Sequence, residues 1–278
     1  MFYYRFWNIV FRSGMRLELA NIHNINEDDK VYTLYFENKS NCDKESSCLK
    51  VYDDGNLLVA VEHREKRIVF YGYVNSHIVT LIIVSDLLAD IISYANQCLL
   101  LHASSVCKNQ KSIAFLGKSH SGKSTLSSYF ALQGYEVLTD DVFPVIKINN
   151  LFYTVSLQTG VKLRSESVQE MNRLYSNGTV FNVNEKCHLF DCTDSNFFPV
   201  CGLFIIELED KVSIKKILGI EKKIQFIRHI HRYVDKNVLY EYIRSDLDSI
   251  NVFRLGYPKN YKDCQLIYNL VDLILEKI

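Results

Sequence analysis

The chain has 278 residues, which is enough for one large domain or two small ones. Apolar residues make up 48% of it, so a substantial core is available, and the formal net charge of zero argues against a general nucleic-acid or anionic-membrane surface. The eight cysteines lack Cys-x-x-Cys spacing, which favours reduced thiols in a cytoplasmic protein. The apolar stretch Ile78 to Ile92 is too short to span a bilayer, and the N-terminus lacks the apolar core of a signal peptide.

The first third of the chain is rich in strand-like segments separated by polar breaks. A helix is predicted from about Asp86 to Asn96, where apolar residues recur on one stripe. No residue here indicates a chemistry, and we expect a β-rich N-terminal region, residues 1–97, before a second domain, residues 98–278. The predicted strands are Tyr3 to Val10, Arg16 to Leu19, Lys30 to Phe36, Leu57 to Glu62, Arg67 to Tyr73 and His77 to Ile83.

The second domain contains a phosphate-binding loop. Residues 117–124 read Gly-Lys-Ser-His-Ser-Gly-Lys-Ser, which fits G-x-x-x-x-G-K-[ST]. The run Ser112 to Leu116 predicts a buried strand before the loop, and the helical spacing of Leu126 and Tyr129 predicts a helix after it, ending near Gly134. Unpaired amides and the helix dipole at such a junction favour a bound anion. The alternative is a Gly/Ser-rich turn before an ordinary helix.

The loop predicts ATP and Mg²⁺ as cofactors. Lys123 is expected to reach the outer phosphates, and the Ser124 hydroxyl is expected to ligate Mg²⁺. The residues expected to bind the nucleotide are Gly117, Lys118, Ser119, His120, Ser121, Gly122, Lys123, Ser124 and Thr125.

An acidic pair follows the next predicted strand. Tyr135 to Thr139 alternates apolar positions, so Asp140 and Asp141 lie at a C-terminal strand end, the edge where ligands bind in open α/β sheets. One carboxylate there can hold Mg²⁺, and the other can take the proton of an acceptor hydroxyl. The chemistry leaves open which does which, and a solvated Asp-Asp turn is the structural alternative.

Further elements are predicted on both sides of this core. The pair Asn149-Asn150 indicates a hairpin turn between two strands, because Asn tolerates positive φ. Arg228, His229, His231 and Arg232 are interpreted as a solvent-exposed helix face. The remaining predicted strands are Cys98 to Val106, Leu203 to Leu208, Val212 to Ile217 and Val252 to Leu255. The remaining helices are Glu221 to Ser245, with Asp235 as a candidate break, and Tyr261 to Lys277.

Three stretches carry a family resemblance: Leu-His-Ala-Ser-Ser-Val at 101–106, Ile-Ala-Phe-Leu-Gly at 113–117 with the loop, and Gly-Tyr-Glu-Val-Leu-Thr-Asp-Asp-Val at 134–142. They resemble the catalytic core of HPr kinase/phosphorylase-type serine kinases. Val252 to Pro258 and the last helix are similar to short stand-alone members, some of which phosphorylate lasso-peptide precursors. The match is specific over residues 101–142, loose beyond them and weak before residue 97.

The resemblance implies a fold and a reaction. The fold is α/β (α+β), with a phosphoenolpyruvate-carboxykinase-like P-loop kinase core after the β-rich N-terminal region. The reaction is phosphoryl transfer to a serine hydroxyl of a peptide or small protein. Asp140 would be the general base, Asp141 the metal-side carboxylate with Ser124, and His102 would lie with Lys123 near the phosphates. A lone His on an apolar strand is also typical of a structural residue.

Two departures from the family pattern stand out. His120 occupies a loop position where the family has Gly, so it either adds a phosphate contact or weakens nucleotide binding. The Glu-[Ile/Leu]-Arg-Gly signature of bifunctional members is not visible, which argues against phosphorylase activity and against HPr as the substrate. Lys162 and Arg164 are the best basic candidates for phosphate or acceptor contacts, since they share one face of a strand; a solvated strand edge explains them equally well.

The sequence therefore predicts an ATP-dependent serine kinase that acts on a peptide or small protein, with the lasso-type precursors as one candidate class. A small-molecule hydroxyl kinase, an HPr(Ser) kinase/phosphorylase-like regulator and a non-catalytic nucleotide-binding module are the alternatives. Neither nucleic acid nor a membrane is an expected partner, and an oligomer is compatible with the sequence.

Overall fold

The computed structural model describes residues 1–19, 21–37, 48–53, 56–157, 163, 167–169, 197–231, 236–244, 247 and 249–278. These residues form two compact units. The first runs from Met1 to Cys98, and the second contains the described residues from Leu99 onward. None of the helices in this described part has the length and apolar character needed to cross a membrane.

The N-terminal unit contains a six-stranded sheet in the order β1-β2-β3-β6-β5-β4. The strand pairs β2–β3 and β3–β6 are parallel and the other neighbours are antiparallel. The strands are β1 (Phe2–Phe6), β2 (Ile9–Ser13), β3 (Lys30–Glu37), β4 (Cys48–Asp53), β5 (Asn56–Glu62) and β6 (Arg67–Tyr71). They are followed by α1 (Ser76–Ile82), a π-helical turn (Ile83–Leu87) and α2 (Leu88–Asn96).

Three sequence-based predictions for this unit are wrong. Tyr3 to Val10 is not one strand, because the chain turns at Trp7, which has φ +56°, and pairs β1 with β2. Arg16 to Leu19 forms no strand. The third, His77 to Ile83, is helical: the Asn75 side chain accepts a hydrogen bond from the Ile78 amide and caps α1. A short apolar run does not distinguish a strand from a buried helix by its periodicity, and here the cap decides.

The C-terminal unit is built on a mixed sheet with the order β10-β8-β9-β13-β12-β11-β7, and β15 also pairs with β13 and β14. Its strands are β7 (Leu99–Leu101), β8 (Ala103–Lys108), β9 (Lys111–Leu116), β10 (Glu136–Thr139), β11 (Phe143–Ile148), β12 (Leu151–Thr154), β13 (Phe198–Leu208), β14 (Ser213–Ile217) and β15 (Val252–Tyr257). Its helices are α3 (Lys123–Leu132), α4 (Gly219–Arg228), α5 (Lys236–Arg244) and α6 (Cys264–Leu275).

An aromatic core joins α3 and α6 to this sheet. Phe130 of α3 packs edge-on against Phe115 of β9 and Tyr135, and Phe204 of β13 stacks on Phe253 of β15. Phe115, Phe130 and Phe204 are fully buried, and each such burial stabilises the fold by about 1.5–3 kcal/mol. The core therefore fixes the start of α3 relative to the strand ends. Other buried members include Leu126, Tyr129, Leu255, Ile267 and Val271.

The architecture is mixed α/β, as predicted, and several local predictions are confirmed. The helix after the phosphate-binding loop ends before Gly134, which has φ +86°. The hairpin between β11 and β12 turns at Asn149 and Asn150, both at positive φ. The helical stretch predicted over residues 221–245, with Asp235 as a candidate break, forms two helices, α4 and α5, and α5 begins at Lys236.

Candidate functional site

Several strands of the C-terminal sheet bring their loop-bearing ends to one edge. β9 and β15 both run parallel to β13, pairing Leu116 with Ile205 and Tyr257 with Leu208. β8 runs antiparallel to β9 and starts at this edge, where Ala103 faces Leu116. β10 runs antiparallel to β8 and ends beside the start of β8. The segment before β8 therefore lies at the same edge of the sheet as the segments after β9, β10 and β15. Ligands bind at this edge in such sheets.

The loop between β9 and α3 is shaped by two glycines. A Cβ on Gly117 would lie 2.6 Å from Ser121 Oγ and 3.3 Å from the Ile206 backbone oxygen. Gly122, the N-cap of α3, has φ +103°, and a Cβ there would lie 2.0 Å from the Tyr257 hydroxyl oxygen. A side chain at either position would displace its neighbours, and glycine at 122 is also favoured by the backbone conformation.

Tyr257 closes the loop from the end of β15. Its hydroxyl donates a 3.0 Å hydrogen bond to the Ser121 carbonyl, and its side chain is 2% exposed. Burial raises the pKa of this phenol above its usual value, so it remains a donor. Tyr257 belongs to the strand that resembles the family, but the sequence alone indicates no role for it, because a contact with a residue 136 positions away leaves no local signal.

Lys123 turns back into the loop at the first position of α3. Its Nζ donates to the Gly117 carbonyl at 3.1 Å and to the Lys118 carbonyl at 3.3 Å, and the residue is 6% exposed. Burial lowers the pKa of the ammonium group, and the charges of Asp141 and Asp140 partly oppose this effect. A cation is thus held beside the amides that begin α3, which have no intrahelical partner.

Ser124 and Asp140 are in direct contact. The Ser124 hydroxyl donates to the Asp140 carboxylate, with distances of 2.9 Å to Oδ1 and 3.2 Å to Oδ2. Asp140 is 6% exposed and follows β10 directly. The structure therefore places Asp140 against the expected metal ligand Ser124, whereas the resemblance pairs Ser124 with Asp141.

Asp141, the second residue of the acidic pair, interacts electrostatically with His102. It has φ +71°, a conformation uncommon for a residue other than glycine. The Asp141 backbone lies near enough to the His102 imidazole to raise the pKa of that ring. Burial and the positive charge of Lys123 lower the pKa of His102, and the Asp141 carboxylate partly opposes them. His102 occupies the break between β7 and β8, so the single strand predicted over Cys98 to Val106 is wrong.

A second histidine, His229, also lies within electrostatic range of Lys123. The backbone oxygen of His229 accepts a 2.8 Å hydrogen bond from the His102 amide. His229 and His231 follow the end of α4 and are half-buried, so the interpretation as a solvent-exposed helix face is wrong for these two residues. The sequence misassigned these two histidines because the helical pattern continues past Arg228 and no local feature marks the end of the helix.

The structure brings together most of the residues that the sequence singled out. The loop residues 117–125, His102 and the Asp140–Asp141 pair all lie at one sheet edge. His120 has φ +66°, the left-handed conformation anticipated for a residue in place of glycine. Lys162 and Arg164 lie outside the described residues.

The arrangement suits a nucleoside triphosphate with Mg²⁺. Helix-start amides and a buried ammonium group are typical of polyphosphate sites. Mg²⁺ at such sites is held by one or two carboxylates together with phosphates and water, and the Ser124–Asp140 oxygen pair fits that donor set. Asp141 and His102 supply a second carboxylate and an imidazole beside it, which can accept or orient a proton.

No protein-family model matches the chain, and no curated protein matches it. Among solved structures, the chain is similar to the HPr(Ser) kinase/phosphatase from Coxiella burnetii, with 15% sequence identity and a TM-score of 0.37. The match covers 64% of this chain and 97% of that one. At this identity and TM-score the likeness is distant, and the function proposed below rests on the residues of this chain.

Proposed function

We propose that the chain is an ATP-dependent kinase that transfers the γ-phosphoryl group to a serine hydroxyl of a peptide or small protein. The observation that carries the proposal is the hydrogen bond from Ser124 to Asp140 at the start of α3, beside the buried Lys123. A helix start that merely binds anions needs neither a carboxylate nor a hydroxyl placed in this way. The pair is the one that nucleotide-bound Mg²⁺ requires at such a loop.

The nucleotide would be held by the loop and by the first turn of α3. The α3 amides and Lys123 would contact the phosphates, and Lys123 would exchange its bonds to the Gly117 and Lys118 carbonyls for phosphate oxygens. Bound Mg²⁺ supplies charge neutralisation on the phosphates. Ser124 and Asp140 would hold it, with Asp140 as the metal-side carboxylate.

Asp141 is then the carboxylate left for the acceptor. We assign it the role of proton acceptor, which reverses the two roles implied by the resemblance, because Ser124 already engages Asp140. The acceptor hydroxyl loses its proton to Asp141 as its oxygen bonds to phosphorus, and ADP leaves with the electrons of the broken P–O bond. His102 would orient Asp141 through the backbone contact and would face the developing charge.

The acceptor class rests on the sequence resemblance over residues 101–142. Serine on a peptide, including a lasso-type precursor, is therefore the finer part of the proposal. The geometry of the loop and carboxylates serves a small-molecule hydroxyl equally well, so the experiment must separate these acceptors.

The test follows radiolabelled γ-phosphate from ATP in the presence of Mg²⁺. Purified protein is incubated with serine-containing peptides and small proteins, and separately with a metabolite mixture. Label on a peptide serine supports the proposal, label on a metabolite alone indicates a small-molecule kinase, and released phosphate alone indicates an NTPase. Nucleotide binding with neither transfer nor hydrolysis indicates a binding module.

Four variants assign the roles. Lys123→Ala should abolish transfer, and Asp140→Asn should weaken Mg²⁺-dependent nucleotide binding. Asp141→Asn should bind Mg²⁺ and nucleotide but transfer at least about 100-fold more slowly, the typical contribution of a general base. Asp210→Asn, an exposed turn residue, is the matched control and should behave as wild type. Transfer by Lys123→Ala at the wild-type rate would refute the site.

A further inference from the structure

Residues 229–231 form a short strand-like pair with the end of β7. Leu101 and Ile230 form an antiparallel bridge. The His102 amide donates to the His229 oxygen, and the His231 amide donates to the Leu100 oxygen, both at 2.8 Å. Because side chains alternate between the two faces of paired strands, His229 and His231 lie on the same face as His102. The rings of His102 and His231 have centroids 6.4 Å apart.

The tautomer of His229 is set by its hydrogen bond. Nδ1 lies 2.8 Å from the Gln225 carbonyl oxygen, which can only accept, so Nδ1 carries the hydrogen. A proton taken up by the ring must therefore go to Nε2. This leaves His229 able to switch between a neutral ring and a cation without losing its contact to α4.

The charges around His229 at present favour the neutral ring. Burial lowers its pKa, Lys123 and Arg228 lower it further, and only the bond to Gln225 opposes them. His102 lies in the same field, since Lys123 and His229 lower its pKa and Asp141 raises it. A polyanion bound at Lys123 would reverse the sign of this field, because its negative charge exceeds the single positive charge of the lysine.

We propose that His229 is a phosphate-binding residue of the nucleotide site and that a bound nucleoside triphosphate draws a proton onto its Nε2. The inference rests on the proposed nucleotide binding and extends it: occupancy of the site becomes linked to pH. Affinity then rises as pH falls, since the bound state holds more protons than the free state. The charged and titratable groups that interact electrostatically with His229 are Lys123, Arg228 and His102, and Asp141 interacts with His102.

The structural alternative is that His229 only caps the end of α4 through Gln225. His229→Asn separates the two, because the Asn side-chain amide can donate to Gln225 as Nδ1 does but cannot take up a proton. His229→Gln is the second variant if the first does not fold. His23→Asn, at an exposed position of the N-terminal unit, is the matched control.

Proton uptake is measured by calorimetric titration of a non-hydrolysable ATP analogue with Mg²⁺ at pH 6.5, in two buffers of different ionisation heat. Affinity is measured by the same titration at pH 6 and at pH 8. On binding the analogue, wild type and His23→Asn should take up more protons than His229→Asn. Protons that the nucleotide itself gains or loses cancel in this difference, because the same nucleotide is used throughout. His229→Asn should bind roughly tenfold more weakly at pH 6, the loss typical of one charge-assisted contact, and nearly normally at pH 8.

The outcomes separate this inference from the proposed function. Equal proton uptake by wild type and His229→Asn, with normal binding, would overturn the role of His229 and leave the kinase proposal standing. Equal weakening of the variant at both pH values would show a role in packing and would also overturn it. Failure of wild type to bind any nucleotide would overturn the proposed function, and this inference with it.

Discussion

Gly122→Ala tests the way in which the loop is closed. The new Cβ would lie 2.0 Å from the Tyr257 hydroxyl, so the buried phenol must move and give up its bond to the Ser121 carbonyl. The alanine must also adopt φ +103°, which costs about 1–2 kcal/mol. Loss of the buried hydrogen bond adds about 1–3 kcal/mol. The expected loss in free energy of unfolding is therefore about 2–5 kcal/mol.

A double-mutant cycle isolates the contact. Tyr257→Phe alone should cost about 1–3 kcal/mol, because it removes the same hydrogen bond. Once the hydroxyl is gone, the nearest ring atom to the new Cβ is 3.3 Å away, so Gly122→Ala adds mainly its backbone cost. The double variant should lose about 1–3 kcal/mol less than the sum of the single variants, because both remove the same hydrogen bond. Gly134→Ala is the matched control, since Gly134 has φ +86° with no atom within 4 Å of a new Cβ.

The assay is urea unfolding followed by circular dichroism, with the nucleotide-analogue titration repeated on each folded variant. Gly122→Ala should lose more stability than Gly134→Ala, and the excess should disappear in the Tyr257→Phe background. Additivity of the two single effects to within about 0.5 kcal/mol would refute the reasoning, since it would mean that Tyr257 does not contact the loop.

Three further outcomes are expected. Ser124→Ala should weaken Mg²⁺-dependent nucleotide binding while sparing binding without the metal, as measured by titration with and without a chelator; equal losses would argue against a metal role. The free energy of unfolding should fall as the pH drops below about 6.5. The reason is that the pKa of His102 is lowered in the folded state, so the unfolded chain binds more protons. His102→Asn should make the urea midpoint depend less on pH between pH 7 and pH 5. Asn149→Ala should cost about 1 kcal/mol in urea unfolding because the hairpin holds it at φ +50°, and an unchanged midpoint would contradict that reason.

The local features of the candidate site could be predicted from the sequence. The apolar run before Gly117, the spacing of Leu126 and Tyr129, and the stop at Gly134 each depend on neighbours within a few residues. The hairpin at Asn149-Asn150 follows for the same reason. Where backbone preference, burial period and turn chemistry agree, a single sequence is enough.

Features that depend on distant pairing were not readable. The strands on either side of residues 209–211 follow one another directly in sequence, yet β14 pairs with β15, which begins about 35 residues later. Tyr257 and His229 reach the site only through β15 and the bridge at Ile230. Their roles depend on which strands are neighbours, and the residue types themselves carry no such information.

The bond between Tyr257 and Ser121 also has a consequence for the order of synthesis. The loop leaves the ribosome early, but the hydroxyl that holds it is 136 residues further along the chain. A nascent chain that ends before β15 carries the complete loop sequence without its closing contact, and long-range pairings of this kind form late. The loop should therefore reach its closed form only as β15 joins the sheet, and the nucleotide affinity proposed for it would appear at the same step.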